Sequence, residues 1–188
     1  MNTITQRRAA VAIATLAAAA TGALLPVVGP IASADAASCE PAYTGTVGPD
    51  TLNGNDAANV MCGLDGDDDI DARGGDDTVY GGAGFDIIKA GTGSNTVWAG
   101  GSRDIAYGGT SSDYLNGGGG NDELYGLDGS DTLDGRAGSN YLRAGRGNDT
   151  VFADYGGFDD IGCGSGYDVA WADPGDFVAL DCEEVNWN

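Results

Sequence analysis

Oxygen-bearing side chains recur along this chain at intervals of nine. In rows of nine counted from Gly45, the sixth position holds Asp50, Asn59, Asp68, Asp77, Asp86, Asn95, Asp104, Asp113, Asp122, Asp131, Asn140 and Asp149. One extra residue, Ala153, then intervenes, and the following rows supply Asp159 and Asp168; only the fifteenth departs, with Phe177. Carboxylates and amides are hard oxygen donors. The chain contains no His, and its four Cys are too few to serve the repeated positions. Such a donor set suits a hard divalent cation, and calcium, which accepts six to eight oxygens in flexible geometry, suits it better than magnesium with its strict octahedron.

A side chain repeated every nine residues acts as one site only if the backbone brings the copies together. Position four is Gly in every row except those holding Ala57, Ser102 and Ser111, and position eight is apolar in all fifteen, from Leu52 and Met61 to Ala170 and Ala179. Glycine permits tight turns with positive φ, so positions one to six read as a turn. Positions seven to nine read as a short strand whose middle residue points inward, since side chains alternate faces along a strand. Strands alternating between two facing sheets give a coil of two rows, with coils about 4.8 Å apart. The expected fold is all-β: a parallel β-roll, or β-helix solenoid, of about fifteen rows. One inward aliphatic per row makes a thin core, so metal ligation must contribute to folding.

Composition agrees. There are 29 acidic against 8 basic residues, a net charge of −21, and 34 Gly. Self-repulsion and the entropy of so much glycine both oppose compaction unless cations are bound. Nucleic acid is excluded as a partner, because no basic patch exists to neutralise phosphates. Residues 1–36 read as a signal peptide: Arg7 and Arg8, an apolar stretch from Ala9 to Val28, and the small-x-small pattern Ala34-Asp35-Ala36. Gly22, Pro26, Gly29 and Pro30 interrupt the apolar run, and no membrane span is expected in the mature chain. The protein is therefore expected to be secreted, extracellular and in an oxidising compartment, where four cysteines form a disulfide framework with three formal pairings.

The rows, written most plainly as Gly81-Gly82-Ala83-Gly84-Phe85-Asp86-Ile87-Ile88-Lys89, resemble the G-G-x-G-x-D-x-U-x nonapeptide of RTX (hemolysin-type) calcium-binding proteins. The resemblance implies calcium ions between turns of adjacent coils, held by position-six side chains and by carbonyls of turn glycines such as Gly66, Gly75, Gly84, Gly120, Gly129 and Gly147. One edge would present Asp50, Asp68, Asp86, Asp104, Asp122, Asn140 and Asp159. The other would present Asn59, Asp77, Asn95, Asp113, Asp131, Asp149 and Asp168, with the Asn positions binding less tightly or not at all. Residues 45–180 would form the roll, 37–44 a lead-in and 181–188 a C-terminal cap, Phe177 marking the last row as part of that cap. In that architecture Cys39 and Cys62 lie about one coil apart, as do Cys163 and Cys182, and these are the expected pairs.

Other chemistries fare worse. Asp65-Gly66-Asp67-Asp68-Asp69 resembles the start of an EF-hand loop, but Ile70 stands where that loop needs Gly. Catalysis through Ser–His or Cys–His pairs is unavailable without His, and no catalytic residues are assigned. The expected function is a structural, adhesive or surface module rather than an enzyme. The outward positions of one sheet carry Thr78, Tyr80, Thr96 and Trp98 and few charges, whereas the other exposes Asp69, Lys89, Glu123 and Arg143. That neutral face is the candidate surface for a glycan or protein, and the alternative function is a carbohydrate-binding or carbohydrate-acting one.

Overall fold

The computed structural model describes residues 43–188. One sheet contains β1 (Thr51–Asn53), β3 (Asp69–Asp71), β5 (Ile87–Thr92), β7 (Ile105–Thr110), β9 (Glu123–Asp128), β11 (Tyr141–Arg146), β13 (Asp160–Ser165) and β15 (Phe177–Val178). The other contains β2 (Val60–Asp65), β4 (Thr78–Ala83), β6 (Thr96–Gly101), β8 (Tyr114–Gly119), β10 (Thr132–Asp134), β12 (Thr150–Ala153), β14 (Val169–Ala172) and β16 (Glu184–Trp187). Within each sheet neighbours pair in parallel two strands apart in sequence, so the chain winds as a β-solenoid of about eight turns. Through the regular coils the register is one coil of eighteen residues, as in Thr78↔Thr96, Val79↔Val97 and Tyr80↔Trp98.

Most strands run six residues, from position seven through position three of the next row, rather than the three expected. Each row thus turns two positions inward. Position eight supplies the large members of the core, including Met61, Ile70, Val79, Ile88, Leu115, Leu124, Leu133, Leu142 and Ile161, all fully buried. Position one adds the small ones: Ala72, Ala90, Ala99, Ala144 and Ala172 are equally buried. The core is still narrow, but it holds a second column of methyl groups.

Turn backbone explains the glycine columns. Positions two and four take positive φ, as at Gly82 (119°) and Gly84 (126°). A Cβ on Gly84 would also collide with the carbonyl oxygen of Gly66 in the coil below, so both conformation and close approach demand glycine there. Leu64, Arg73, Leu127 and Arg136 at position two, and Ser102 and Ser111 at position four, adopt positive φ without that freedom.

Three expectations are corrected near the C terminus. Ala153 is not the inserted residue: it continues β12, is buried and pairs with Ala172. The extra residue lies in the turn after it, where Gly157 takes the position-four place above Gly138. The row from Ala172 is in turn one residue short between Gly175 and the strand, so Val178 rather than Ala179 pairs with Ile161. Finally, fifteen rows become sixteen strands, because β16 pairs with β14 and extends its sheet. A disulfide joins Cys163 to Cys182, Cα atoms 5.1 Å apart, as expected. Cys62 is disulfide-bonded, and its expected partner Cys39 lies outside the described residues, as do the expected signal peptide 1–36 and most of the lead-in. Among the described residues no helix is long and apolar enough to cross a membrane.

Candidate metal centre

The two ends of the flattened coil bring the position-six residues into two columns. Each column is a ladder with two kinds of rung. Backbone carbonyls of position six accept the position-seven N–H of the next coil, as Ile87 N to Asp68 O (2.8 Å) and Ile105 N to Asp86 O (2.9 Å). Position-six N–H groups donate to the side chain one coil further on: Asp68 to Asp86 Oδ1 (2.9 Å), Asp86 to Asp104 Oδ1 (2.8 Å) and Asp104 to Asp122 Oδ1 (2.8 Å). On the other edge Asn95 donates to Asp113, Asp113 to Asp131 and Asp131 to Asp149 in the same way, at 2.8, 2.8 and 2.7 Å. One carboxylate oxygen per rung is thereby spent on the backbone.

The second oxygen has nothing. Oδ2 of Asp68, Asp77, Asp86, Asp104, Asp113, Asp122, Asp131, Asp149, Asp159 and Asp168 is buried without a hydrogen-bond partner. Buried acceptors lacking a donor are costly and rare. Here ten stand in two lines, each repeated at the coil spacing. Burial raises Asp86, Asp113 and Asp122 to about 7 and Asp104 to about 8, the backbone N–H bonds only partly offsetting it; neighbouring carboxylates push the same way for Asp86, Asp104 and Asp113. Asp77, Asp131 and Asp159 reach about 6 for the same leading reason. Stacked anions whose charge is this poorly accommodated, in a chain without imidazole, fit a hard cation. Among the described residues no group of three or more His, Cys, Asp or Glu side chains is placed to hold a metal ion by itself. A cation in these columns must therefore draw on backbone carbonyls as well as carboxylates.

The expected residues are not equivalent. Asp50 begins its column and is satisfied differently, its Oδ2 accepting from Thr46 N (2.6 Å) and Oγ1 (2.9 Å). Asn59, Asn95 and Asn140 occupy rungs in the expected places and are buried. The position-four glycines, Gly66, Gly75, Gly84, Gly120, Gly129 and Gly147, all take positive φ, and the carbonyl oxygens of Gly66, Gly75, Gly120 and Gly129 occupy the space that a Cβ on the position-four glycine of the following coil would need.

Two carboxylates absent from the expected columns complete them. Asp159 N donates to Asp176 Oδ1 (2.9 Å) and Asp168 N to Glu183 Oε2 (2.9 Å). Phe177 therefore does not end its column: the residue missing from that row moves Asp176 into the rung, and the offset between Gly175 and Asp176 is the sequence signal. A second, exposed ladder runs at position five, where Asp67, Asp76, Asn121 and Asn148 accept N–H groups of Phe85, Ser94, Ser139 and Tyr167. It accounts for the doubled acids Asp67-Asp68 and Asp76-Asp77.

Aromatic residues are not confined to the sheet with few charges. Tyr80 stacks on Trp98 (4.9 Å, 8°) on one sheet, and Tyr107 stacks on Tyr125 (5.0 Å, 11°) on the other. Both separations match the strand spacing, so the rings lie across the stacking axis and spend their faces on one another. Tyr80 and Trp98 thus offer edges rather than a flat platform for a sugar. The supposedly neutral sheet also carries Asp134, 6% exposed, bound to Arg136 (2.8 Å) and to Asn116 (3.2 Å).

A family model described as RTX calcium-binding nonapeptide repeat (4 copies) matches residues 44–79, 54–88, 71–106, 80–115, 89–124, 107–142, 116–151 and 125–160. These overlapping matches run without a gap from 44 to 160. No curated relative and no solved structure matches the chain.

Proposed function

The chain belongs to the RTX calcium-binding nonapeptide repeat family, and from that premise we propose that it is an exported structural module whose β-roll folds on binding calcium along both position-six columns. The observation that carries this reading is the pair of lines of buried, unpartnered Asp Oδ2 atoms. Asp68, Asp86, Asp104, Asp122 and Asp159 supply one line, Asp77, Asp113, Asp131, Asp149 and Asp168 the other, and the position-four glycine carbonyls add neutral oxygens. Calcium bound there neutralises the stacked carboxylates and turns their repulsion into bridges between coils. The protein's own part is to hold each carboxylate by its backbone bond so that the remaining oxygen is presented rather than free to swing.

Folding follows from the same balance. Without cations the columns place like charges one coil apart, and the narrow core opposes them with little apolar surface. The metal-free chain is therefore expanded, and ligation and folding are one event. Export rests on the Arg7-Arg8 and Ala34-Asp35-Ala36 pattern and is supported by the Cys163–Cys182 disulfide. In an extracellular, calcium-rich medium the module would serve as a structural, adhesive or surface element, with residues 45–180 as the roll.

The test is circular dichroism of the oxidised mature chain during a calcium titration. A cooperative gain of β signal, absent with magnesium at equal concentration, is expected. A fully folded metal-free chain that millimolar calcium leaves unchanged would overturn the reading.

A further inference from the structure

The three amide rungs present different atoms to the cation lines. An Asp rung has two oxygens, one for the preceding coil's N–H and one for the line. An Asn rung has one. Asp122 N donates to Asn140 Oδ1 (2.9 Å) and Asp77 N donates to Asn95 Oδ1 (2.9 Å). Only oxygen can accept those bonds, so both amides are locked with Nδ2 turned to the place that Asp gives to Oδ2. The equivalence of place is visible from the position-one glycines. A Cβ on Gly135 would lie 2.9 Å from Asn140 Nδ2, as one on Gly117 would lie 2.5 Å from Asp122 Oδ2.

What Nδ2 does there resembles what a cation would do. Asn95 Nδ2 donates to the carbonyl of Gly93 (3.0 Å), a position-four oxygen of the kind that would ligate metal. Asn140 Nδ2 is buried and has no acceptor in hydrogen-bond geometry. Each amide thus places N–H hydrogens where an Asp rung presents a bare oxygen.

Asn59 is built the other way round. Its Oδ1 accepts from Asn55 N (2.9 Å) in its own row, just as Asp50 Oδ2 accepts from Thr46 N (2.6 Å). A Cβ on Gly54 would lie 2.5 Å from that oxygen. At Asn59, unlike Asn95 and Asn140, an acceptor stands on the line.

We infer that Asn95 and Asn140 are built-in stand-ins for a cation that exclude calcium from their own rungs, whereas Asn59 retains a ligand oxygen. The inference rests on the position-six columns being calcium lines. Donor hydrogens aimed into a site repel a cation, and at Asn95 the amide also consumes a carbonyl the ion would need. Each line is consequently broken once, between Asp122 and Asp159 on one edge and between Asp77 and Asp113 on the other. Calcium binds in separate blocks rather than two unbroken rows.

Native mass spectrometry of the full calcium-loaded mature chain counts the ions directly. Asn95→Asp and Asn140→Asp should each bind one more calcium than the parent, and the double variant two more, because each exchange restores the repeat's own Asp and its second oxygen. Asn59→Asp should leave the count unchanged. Circular dichroism of the same calcium-loaded samples confirms that each variant is folded. Unchanged counts for folded Asn95→Asp and Asn140→Asp, or an equal gain at Asn59→Asp, would overturn the inference, the latter because charge alone would then explain the gain. A parent chain that binds no calcium would instead overturn the functional reading on which it rests.

Discussion

The coils between Thr78 and Gly119 and those between Asp134 and Trp187 use the same two-strand turn, yet hold it by different means. In the first region the register is a constant eighteen residues, most turn positions two and four are Gly, and the strands are full length. In the second, the pairs Tyr141↔Asp160, Ile161↔Val178 and Val169↔Glu184 are nineteen, seventeen and fifteen residues apart. There the chain adds what the first region lacks: a disulfide, the Asp134–Arg136 pair, and Asp176 and Glu183 closing the two columns. On the proposed reading, cohesion where the repeat is regular depends on cations held by the stacked carboxylates. Where it is irregular, covalent and hydrogen-bonded devices carry part of the load.

Removing calcium should therefore produce the largest effect and separate the two regions. With excess chelator under oxidising conditions, hydrogen exchange should lose nearly all protection in β4 to β8. Residual protection should persist around the Cys163–Cys182 loop, whose closure still limits the expanded chain. Equal loss at both ends of the roll would break the comparison.

Acid should partly replace the metal, again most in the regular coils. Asp86, Asp104, Asp113 and Asp122 have folded-state values of about 7, 8, 7 and 7, raised above the ordinary 3.8 chiefly by burial. A folded form that binds protons more tightly than the unfolded one gains stability as pH falls. The penalty is full above about pH 8, shrinks as pH falls through the folded values, and vanishes below the unfolded one. The metal-free chain, expanded at about pH 8.5, should thus regain part of its β signal at about pH 5. The calcium-loaded chain should shift the opposite way, since protons compete for the same oxygens. Metal-free circular dichroism that is unchanged across this range would contradict the burial of the columns.

Opening the disulfide tests the other region. Cys163→Ser with Cys182→Ser releases a short loop, for which a loss of about 2–4 kcal/mol is ordinary. In calcium, denaturant melts should show that loss, and exchange should show it confined to β13 to β16. A loss spread evenly to β4 and β5 would mean that the C-terminal coils are not a separate holding device.

Much of this division was legible in the residues. Two columns at period nine, Asp or Asn at position six and an aliphatic at position eight, were enough for the winding, the two facing sheets and the alignment of the position-six residues along two edges. Strand length was not, because position one is Gly or Ala in every row but that of Cys163 and carries little hydrophobic signal, although Ala72, Ala90 and Ala99 are as buried as Ile88. Register after Ala153 was misplaced for a related reason. An alanine reads equally well as an inserted residue or as a core position, and only pairing with Ala172 decides between them. The roles of Asn95 and Asn140 were the least legible, since a single letter does not say which end of an amide the neighbouring N–H will claim. Aromatic stacking was hidden because Tyr107 and Tyr125 come together only once the coil length is known.

The smallest effect comes from a matched pair of glycines, one in each region. Gly84 and Gly156 both take positive φ, 126° and 71°, so Ala at either position adopts a conformation that costs L residues roughly 1–2 kcal/mol. They differ in surroundings. A Cβ on Gly84 meets the carbonyl of Gly66, the close approach that lets one coil sit on the next, whereas a Cβ on Gly156 meets nothing within 4 Å. Gly84→Ala should therefore cost more than the backbone strain and weaken calcium affinity, because the coils must separate where the ion is held. Gly156→Ala should cost only about 1 kcal/mol, with calcium affinity intact. Denaturant melts and calcium titrations on the two variants give four numbers. If both variants lose affinity alike, glycine in this chain serves backbone conformation alone, and the close stacking of turns contributes nothing to the metal centre.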